Sequence, residues 1–307
     1  MIMNLAISNI AWERADDDFV YNKMAELGFK YIEIAPTALV PKNPYSSDGI
    51  KKIYNILDSL YKLYGIKVCS MQSILYGVSS RLFGTEEERQ DLFKNILMAV
   101  DCAYELSCRN LVFGCPKNRV IENEALQYNI GVDFFKRIAD YCEKKNVYFS
   151  FEANPVIYNT NYINTTQEAL KLVKLVDCSH FGINYDLGCV LYNNEDIDCL
   201  DDLLKYVNHI HISEPYLAPV DFAHKTTHIR LRDILKKQGY GVGEGFRDNL
   251  KYIQGSKIEV EEKTLPENKS KKMQGCASGC ISIEMKKTDN LNILTDIMRY
   301  IADIFAV

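Results

Sequence analysis

Short apolar runs alternate with longer amphipathic stretches along all 307 residues. Eight of the runs are rich in β-branched and aromatic residues and are only long enough for strands. They are Asn4 to Ser8, Tyr31 to Ala35, Ile66 to Gln72, Asn110 to Cys115, Val147 to Glu152, Phe181 to Asp186, Asn208 to Ser213 and Cys280 to Met285.

Apolar residues at helical spacing occupy the intervals between these runs. The predicted helices are Asp17 to Leu27, Asp48 to Tyr64, Glu86 to Leu106, Gly131 to Lys145, Thr166 to Val176, Glu195 to Tyr206, Lys225 to Gln238 and Asp289 to Phe305. Thr85 lies three residues before Glu88, as in a capping box, and Gly65 follows its helix where a left-handed residue is favoured.

The strict alternation of eight strands with eight helices predicts the architecture. Parallel strands need crossover helices, so this count favours a single α/β domain over residues 1–307, a closed (β/α)8 barrel, rather than an open sheet. Residues 241–279 are too long for a simple connection and predict an insertion between helix seven and strand eight. We interpret that insertion as a mobile surface loop or as an oligomer or partner contact.

Composition narrows the class of protein. The chain is 47% hydrophobic and 25% charged, with a net charge of -5 and scattered lysines, which disfavours a nucleic-acid partner. No apolar stretch approaches the roughly 20 residues that span a bilayer, and "MIMNLAISNIAW" lacks a basic secretory lead, so we expect a cytoplasmic protein without a membrane partner. The ten cysteines lie mostly alone in apolar segments, and we expect reduced thiols. "CASGC" is only a weak indication of a zinc site.

Ionisable residues recur where the predicted strands end, which is where barrels place their chemistry. Glu152, Asp186, His211 and Glu284 lie on strands five to eight, and Glu33 lies on strand two. Buried carboxylates are costly unless they are paired or bind a metal, so their convergence predicts one divalent metal site. Three carboxylates and one imidazole suit Mn²⁺, Mg²⁺ or Co²⁺ better than a thiolate-loving ion. His209 lies deeper on the same face, as a hydrogen-bonded core histidine.

At these positions the chain resembles the xylose isomerase-like barrels, specifically the sugar phosphate isomerase/epimerase group with its ketose 3-epimerase relatives. The resemblance rests on "SNIAW", "IEIAP", "FEANP", "NYDLG", "HIHISEP" and "ISIEMK". It implies one divalent metal, Mn²⁺ preferred with Mg²⁺, Co²⁺ or Zn²⁺ as alternatives, held by Glu152, Asp186, His211 and Glu284. It also implies a sugar or sugar phosphate substrate, with Glu152 and Glu284 moving protons through an enediolate.

Other residues are predicted to contact the substrate. Lys117 and Arg119 follow strand four, where they would bind a phosphate or carboxylate. The remaining candidates are Trp12, Glu33, Cys189, Glu214 and His224, with Glu33 alternatively holding other side chains in position. Cys189 replaces a histidine that touches the sugar in many relatives, and we prefer a space-filling role for it over a catalytic thiol. Leu217 stands where some 3-epimerases carry an arginine.

Three alternative functions stay open at this point. A metal-dependent dehydratase or lyase acting on a polyol-derived ketone needs the same proton abstraction, and a non-catalytic sugar-binding barrel needs none. Endonuclease IV-like repair enzymes share the barrel, but they need a three-zinc cluster with extra histidines, and this chain has five histidines in all. A homo-oligomer is compatible with the sequence.

Overall fold

Eight parallel strands close into a barrel in the computed structural model, which describes residues 3–122, 124–241 and 279–306. The strands are β1 (Leu5–Ser8), β2 (Tyr31–Ile34), β3 (Lys67–Met71), β4 (Asn110–Phe113), β5 (Tyr148–Glu152), β6 (Phe181–Asp186), β7 (Val207–Ile212) and β8 (Ile281–Ile283). Each strand pairs with the next in the chain, and β8 pairs with β1. The predicted (β/α)8 barrel is therefore confirmed.

The register of the strands decides which side chains become neighbours at the barrel mouth. Glu152 on β5 pairs with Asn184 on β6, and Asp186 pairs with His211 on β7. His211 in turn pairs with Ser282 on β8. Because parallel strands end at the same edge of the sheet, this register brings the polar residues of β5 to β8 side by side.

Helices surround the strands, with some differences from the predicted bounds. They are α1 (Asp17–Glu26), α2 (Pro36–Leu39), α3 (Ser47–Tyr64), α4 (Glu86–Glu105), α5 (Glu124–Lys145), α6 (Thr166–Val176), α7 (Leu187–Asn193), α8 (Leu200–Leu203), α9 (Lys225–Lys237) and α10 (Leu291–Ile304). The capping box at Thr85 and the left-handed Gly65 form as predicted.

Two helix predictions were wrong at their boundaries. α5 begins at Glu124, so Gly131 lies inside the helix rather than at its start. A glycine is needed there because a Cβ would come within 2.3 Å of the Tyr162 hydroxyl. The predicted helix from Glu195 to Tyr206 is instead short α and 3₁₀ turns around α8. The short α7 was not predicted, and it begins where the Asp186 side chain accepts a hydrogen bond from the Cys189 backbone N–H.

An aromatic cluster anchors the strands that carry the site. Phe135 on α5 packs against Phe113, Phe151 and Phe181, with ring centroids 5.1 to 5.6 Å apart. Such pairs contribute about 0.5–1.5 kcal/mol each beyond their buried area. The cluster therefore fixes β4, β5 and β6 from the outside of the barrel.

The described residues on either side of the predicted insertion lie together. Residues 242–278, which include Cys276 of "CASGC", fall outside the described residues. The Gly241 carbonyl accepts a hydrogen bond from the Asn4 N–H, 2.8 Å away, and Gly279 lies against Gly241. Asn4 precedes β1 and Gly279 precedes β8, so both ends meet at the N-terminal face of the barrel.

The described cysteines are all free thiols, as predicted. Within the same residues, no helix is both long enough and apolar enough to cross a membrane.

Candidate active site

Four side chains of metal-ligand type meet at the C-terminal ends of β5 to β8. They are Glu152, Asp186, His211 and Glu284, and each offers a ligand atom within 4.8 Å of the others. His211 Nδ1 lies 3.1 Å from Glu152 Oε2, 3.1 Å from Glu284 Oε2 and 3.9 Å from Asp186 Oδ2. The structure thus brings together all four residues that the sequence singled out as metal ligands.

Glu33 lies behind His211, on the far side of the imidazole ring from the other carboxylates. Its oxygens lie 3.0 Å from His211 Nε2 and 3.2 Å from His209 Nε2, and it accepts a hydrogen bond from Ser282 Oγ at 3.1 Å. Because Nε2–H donates to Glu33, the Nδ1 lone pair of His211 points at the carboxylate cluster. Glu33 is completely buried, so the geometry favours its positioning role over contact with a substrate.

The cluster carries more negative charge than its own residues balance. Burial and the charges of Glu152 and Glu284 raise the pKa of Asp186 to about 8. Burial also raises the pKa of Glu284. Burial opposes a charged imidazole, yet Glu284, Glu33 and Glu152 hold the pKa of His211 well above its ordinary value. Protons on Asp186 and His211 relieve this charge in the metal-free protein, and three carboxylates with one imidazole are also the donor set that divalent ions such as Mn²⁺ prefer.

Metal binding is expected to release protons, because the ligands must be deprotonated. At pH 7 Asp186, with a pKa of about 8, and His211 hold protons that a metal would displace. The apparent affinity for Mn²⁺ should therefore rise at least about tenfold per pH unit up to about pH 8. Calorimetric titration in buffers of different ionisation enthalpy would count the protons. Affinity that does not change between pH 6 and pH 8 would contradict this prediction.

The same shifts have a consequence for the stability of the metal-free protein. Folding raises the pKa values of Asp186 and His211. Between the ordinary pKa of each group and its raised pKa in the folded protein, the folded state therefore binds more protons than the unfolded state. Folding lowers the pKa values of His180, His209 and His228, which opposes this trend near pH 6 but little above pH 7, where these histidines are mostly neutral in both states. Stability without metal should therefore fall as the pH rises from 7 to 8. Urea unfolding at the two pH values, with and without Mn²⁺, would measure the change.

Two asparagines hold Glu152, and sequence reasoning missed both. Asn154 Nδ2 donates to Glu152 Oε1 at 2.7 Å, and Asn184 Nδ2 donates to Glu152 Oε2 at 2.6 Å. Burial raises the pKa of Glu152, but His211 and these amides outweigh it and lower that pKa, opposite to the shift of Glu284. Asn184 lies two residues before Asp186, on the same face of β6, and this spacing could have indicated it.

Arg119 does not occupy the predicted anion-binding position. Its guanidinium is fully buried and directs all five N–H groups at protein oxygens. The acceptors are the carbonyls of Gly114, Glu152, Tyr162 and Ile163 and the Asn154 side chain. A substrate phosphate would find no N–H left. Lys117, in contrast, is exposed on the same loop and stays available for that role.

Asp186 is held by its neighbours on α7 and β7. Ser213 Oγ donates to Asp186 Oδ2 at 2.5 Å, and the Cys189 N–H donates to Asp186 Oδ1 at 2.5 Å. The Cys189 thiol is buried, 3.5 Å from the Asn164 carbonyl oxygen, and burial raises its pKa. These contacts favour the space-filling role of Cys189 over a catalytic thiol.

The three other predicted substrate contacts are engaged with protein groups. Trp12 is 3% exposed, and its indole N–H donates to Asp17 at 2.8 Å, so the ring is packed into the protein. Glu214 is 4% exposed and lies 2.9 Å from His224 Nδ1. This pair braces the loop after β7, and His224 keeps part of its side chain exposed.

Two tyrosines, Tyr158 and Tyr216, lie on the loops that follow β5 and β7 at the C-terminal ends of the strands. Burial and the charges of Asp186, Glu284 and Glu152 raise the pKa of Tyr158. Tyr216 and the next residue, Leu217, have φ values of 65° and 53°. This left-handed conformation is uncommon for residues other than glycine and occurs where the surrounding structure requires it. Tyr158 was missed because its loop carries no pattern that points to the site.

Known proteins resemble this chain in sequence and in fold. The profile of the xylose isomerase-like TIM barrel family matches residues 21–253. Inosose dehydratase of Clostridium perfringens is 27% identical over 132 residues, which cover 42% of this chain and 37% of that protein. The match thus spans little more than a third of that relative.

Solved structures match over nearly the whole chain. A 3-keto-D-glucoside 4-epimerase from E. coli superposes with a TM-score of 0.68 at 15% identity, covering 98% of this chain and 99% of the other. A D-psicose 3-epimerase from Clostridium cellulolyticum H10, solved with D-tagatose, gives 0.67 at 18% identity, with 98% and 96% covered. At these identities the likeness is one of fold. Because the family profile covers most of the chain and the described strands form its barrel, the chain belongs to the xylose isomerase-like TIM barrel family.

Proposed function

We propose that this protein is a divalent-metal-dependent isomerase or epimerase of a sugar or sugar phosphate. One observation carries the proposal: Glu152 and Glu284 both reach within 3.1 Å of His211 Nδ1 from strands on either side of it, with Asp186 completing the cluster. Two carboxylates that converge on one cation site are suited to acting on two faces of a bound sugar.

The carboxylates supply the proton transfers. One of them, Glu152 or Glu284, takes the proton from the carbon next to the substrate carbonyl, and the C–H electron pair forms the double bond of an enediolate. The other returns a proton to the opposite face and inverts that carbon, or a proton reaches the former carbonyl carbon and the carbonyl shifts. A divalent ion held by Glu152, Asp186, His211 and Glu284 would supply Lewis-acid polarisation of the carbonyl oxygen.

The surrounding residues keep this geometry in place. Asn154 and Asn184 hold the two oxygens of Glu152, and Glu33 holds His211 in the orientation that exposes Nδ1. A positioned carboxylate loses little entropy on reaching the transition state. The tyrosine side chains at the mouth offer apolar faces to the C–H groups of a sugar, and Lys117 offers a charge to a substrate phosphate.

A dehydratase is the second candidate, and the sequence match to inosose dehydratase favours it. The first step would be the same proton abstraction next to a ketone. The electron pair of the enediolate would then expel hydroxide from the next carbon, with a carboxylic acid supplying the proton that makes it water. The substrate would be a ketone derived from a polyol.

Deuterium uptake from D₂O tests the proposal without knowledge of the product. We expect the Mn²⁺-loaded protein to exchange the proton next to the carbonyl in at least one of a panel of ketoses, ketose phosphates and inososes, followed by NMR. The labelled carbon distinguishes epimerisation from isomerisation, and a product that has lost water identifies the dehydratase. No exchange with any of these substrates, in protein that binds Mn²⁺ stoichiometrically, would instead favour a non-catalytic sugar-binding barrel.

A further inference from the structure

A second group of metal-ligating side chains lies at the opposite end of the barrel from the candidate active site. It consists of Glu143 near the end of α5, and Cys178 and His180 in the segment between α6 and β6. Their ligand atoms all lie within 4.8 Å of one another. His180 immediately precedes β6, so this cluster, here called the lower cluster, belongs to the N-terminal face of the barrel.

The imidazole of His180 is already held as a metal ligand would need it. Its ring stacks on Tyr148 with centroids 4.7 Å apart, and Nε2 lies 3.5 Å from Asn146 Oδ1. Donation of Nε2–H to Asn146 leaves Nδ1 as an acceptor, which receives a hydrogen bond from the Ser179 hydroxyl at 3.2 Å and lies 3.9 Å from Glu143 Oε1, so a bound metal would displace that hydroxyl. A ligating histidine commonly donates its other N–H to a fixed oxygen in this way. Burial lowers the pKa of His180, which keeps the ring neutral at pH 7.

The charges around Cys178 favour a cation. Burial raises the pKa of its thiol, and the carboxylates of Glu143, Asp140 and Asp177 raise it further. These groups disfavour a bare thiolate but attract a divalent ion, whose binding would displace the thiol proton. Arg109, which lowers the pKa of His180, is the opposing positive charge.

We propose that Glu143, Cys178 and His180 bind Zn²⁺ or another thiophilic divalent ion, with water as the fourth ligand. Thiolate, imidazole and carboxylate are each ligand types that tetrahedral zinc accepts, whereas the oxygen-rich cluster at the barrel mouth suits harder ions. Such an ion would tie the end of α5 to the segment that leads into β6. Both the thiol and the carboxylate are partly exposed, so the ion has access from solvent.

Cobalt spectroscopy tests the lower cluster separately from catalysis. We expect the full-length, Mn²⁺-loaded protein to develop a sulfur-to-cobalt charge-transfer band when Co²⁺ is added, and Zn²⁺ to abolish it. The four residues at the barrel mouth include no sulfur, so that site would give no such band. Cys178→Ser should remove the band, and Cys199→Ser, which alters an exposed cysteine elsewhere, should leave it intact.

Two further variants sharpen the test. His180→Asn should weaken Zn²⁺ binding at least about 100-fold. Asn146→Gly, which removes the oxygen behind the imidazole and tolerates the φ of 52° at this position, should weaken it about tenfold. Zn²⁺ should also raise the Tm of the Mn²⁺-loaded wild type but not of Cys178→Ser. The absence of a band in the wild type, or a band that persists in Cys178→Ser and disappears in Cys276→Ser, would overturn the proposal.

Discussion

Replacing Glu152 or Glu284 with glutamine is expected to lower kcat by about 10²–10⁴-fold, the usual contribution of a positioned acid or base. Each side chain lies 3.1 Å from His211 Nδ1, and the amide keeps the shape of the carboxylate but cannot accept a proton. The D₂O exchange assay measures the loss at the step where the C–H bond breaks.

A matched variant outside the cluster controls for the removal of a carboxylate as such. Glu13→Gln removes a carboxylate that is exposed and pairs with Lys287, three residues after Glu284, and it should leave kcat within about twofold. Mn²⁺ affinity must be measured for each variant, since both glutamates are also proposed metal ligands. A Glu284→Gln protein that kept more than a tenth of the wild-type kcat would rule out an essential acid or base at this position.

The largest expected effect on stability comes from Arg119→Met. Removal of the guanidinium takes one donor away from each of the carbonyl oxygens of Gly114, Glu152, Tyr162 and Ile163 and from the Asn154 side-chain oxygen; of these, the Ile163 carbonyl keeps the Asn154 N–H. It also removes the cation–π contact with the Phe151 ring, 4.7 Å from Arg119 Cζ. Stranded buried polar groups are costly, and we expect the free energy of unfolding to fall by about 3–5 kcal/mol.

Urea unfolding with Lys117→Met as the control would measure this difference. Lys117 lies two residues away on the same loop and is exposed, so its replacement should change stability by about 0.5 kcal/mol or less. Arg119→Lys should fall between the two, because an ammonium has three donors where the guanidinium has five. A loss of less than about 1 kcal/mol in Arg119→Met would show that its hydrogen bonds are replaced by solvent.

The structure also assigns Arg119 an indirect effect on Glu152. Arg119 Nη2 donates to Asn154 Oδ1 at 2.6 Å, and Asn154 Nδ2 donates to Glu152 Oε1 at 2.7 Å. The same guanidinium binds the Glu152 carbonyl at 2.8 Å. Arg119 is therefore a positioning residue, and the folded fraction of Arg119→Met should show a lower kcat as well.

Much of the fold followed from local patterns. Strand and helix periods are set by backbone geometry, so each of the eight strands was recognisable from its own few residues. Parallel strands that close a barrel end at one edge, so Glu152, Asp186, His211 and Glu284 could be predicted to meet from their positions in the sequence. The prediction that a helix begins at Gly131 was wrong because the glycine is there to make room for Tyr162. Tyr162 lies 31 positions further along the chain, so a local sequence pattern could not indicate this contact.

By itself, then, the sequence determined the barrel and the side chains that gather at its mouth, because both depend on residues close together in the chain. Only the tertiary structure decided what those side chains do, since their partners are distant: Ser282 meets Glu33 across 249 positions, and Tyr162 meets Arg119 across 43. From the sequence, Arg119 on a loop and Glu33 at a strand end resemble substrate contacts, because their distant partners cannot be identified. Both side chains are buried and paired with protein groups, and the cost of leaving such groups unpaired favours positioning roles for both.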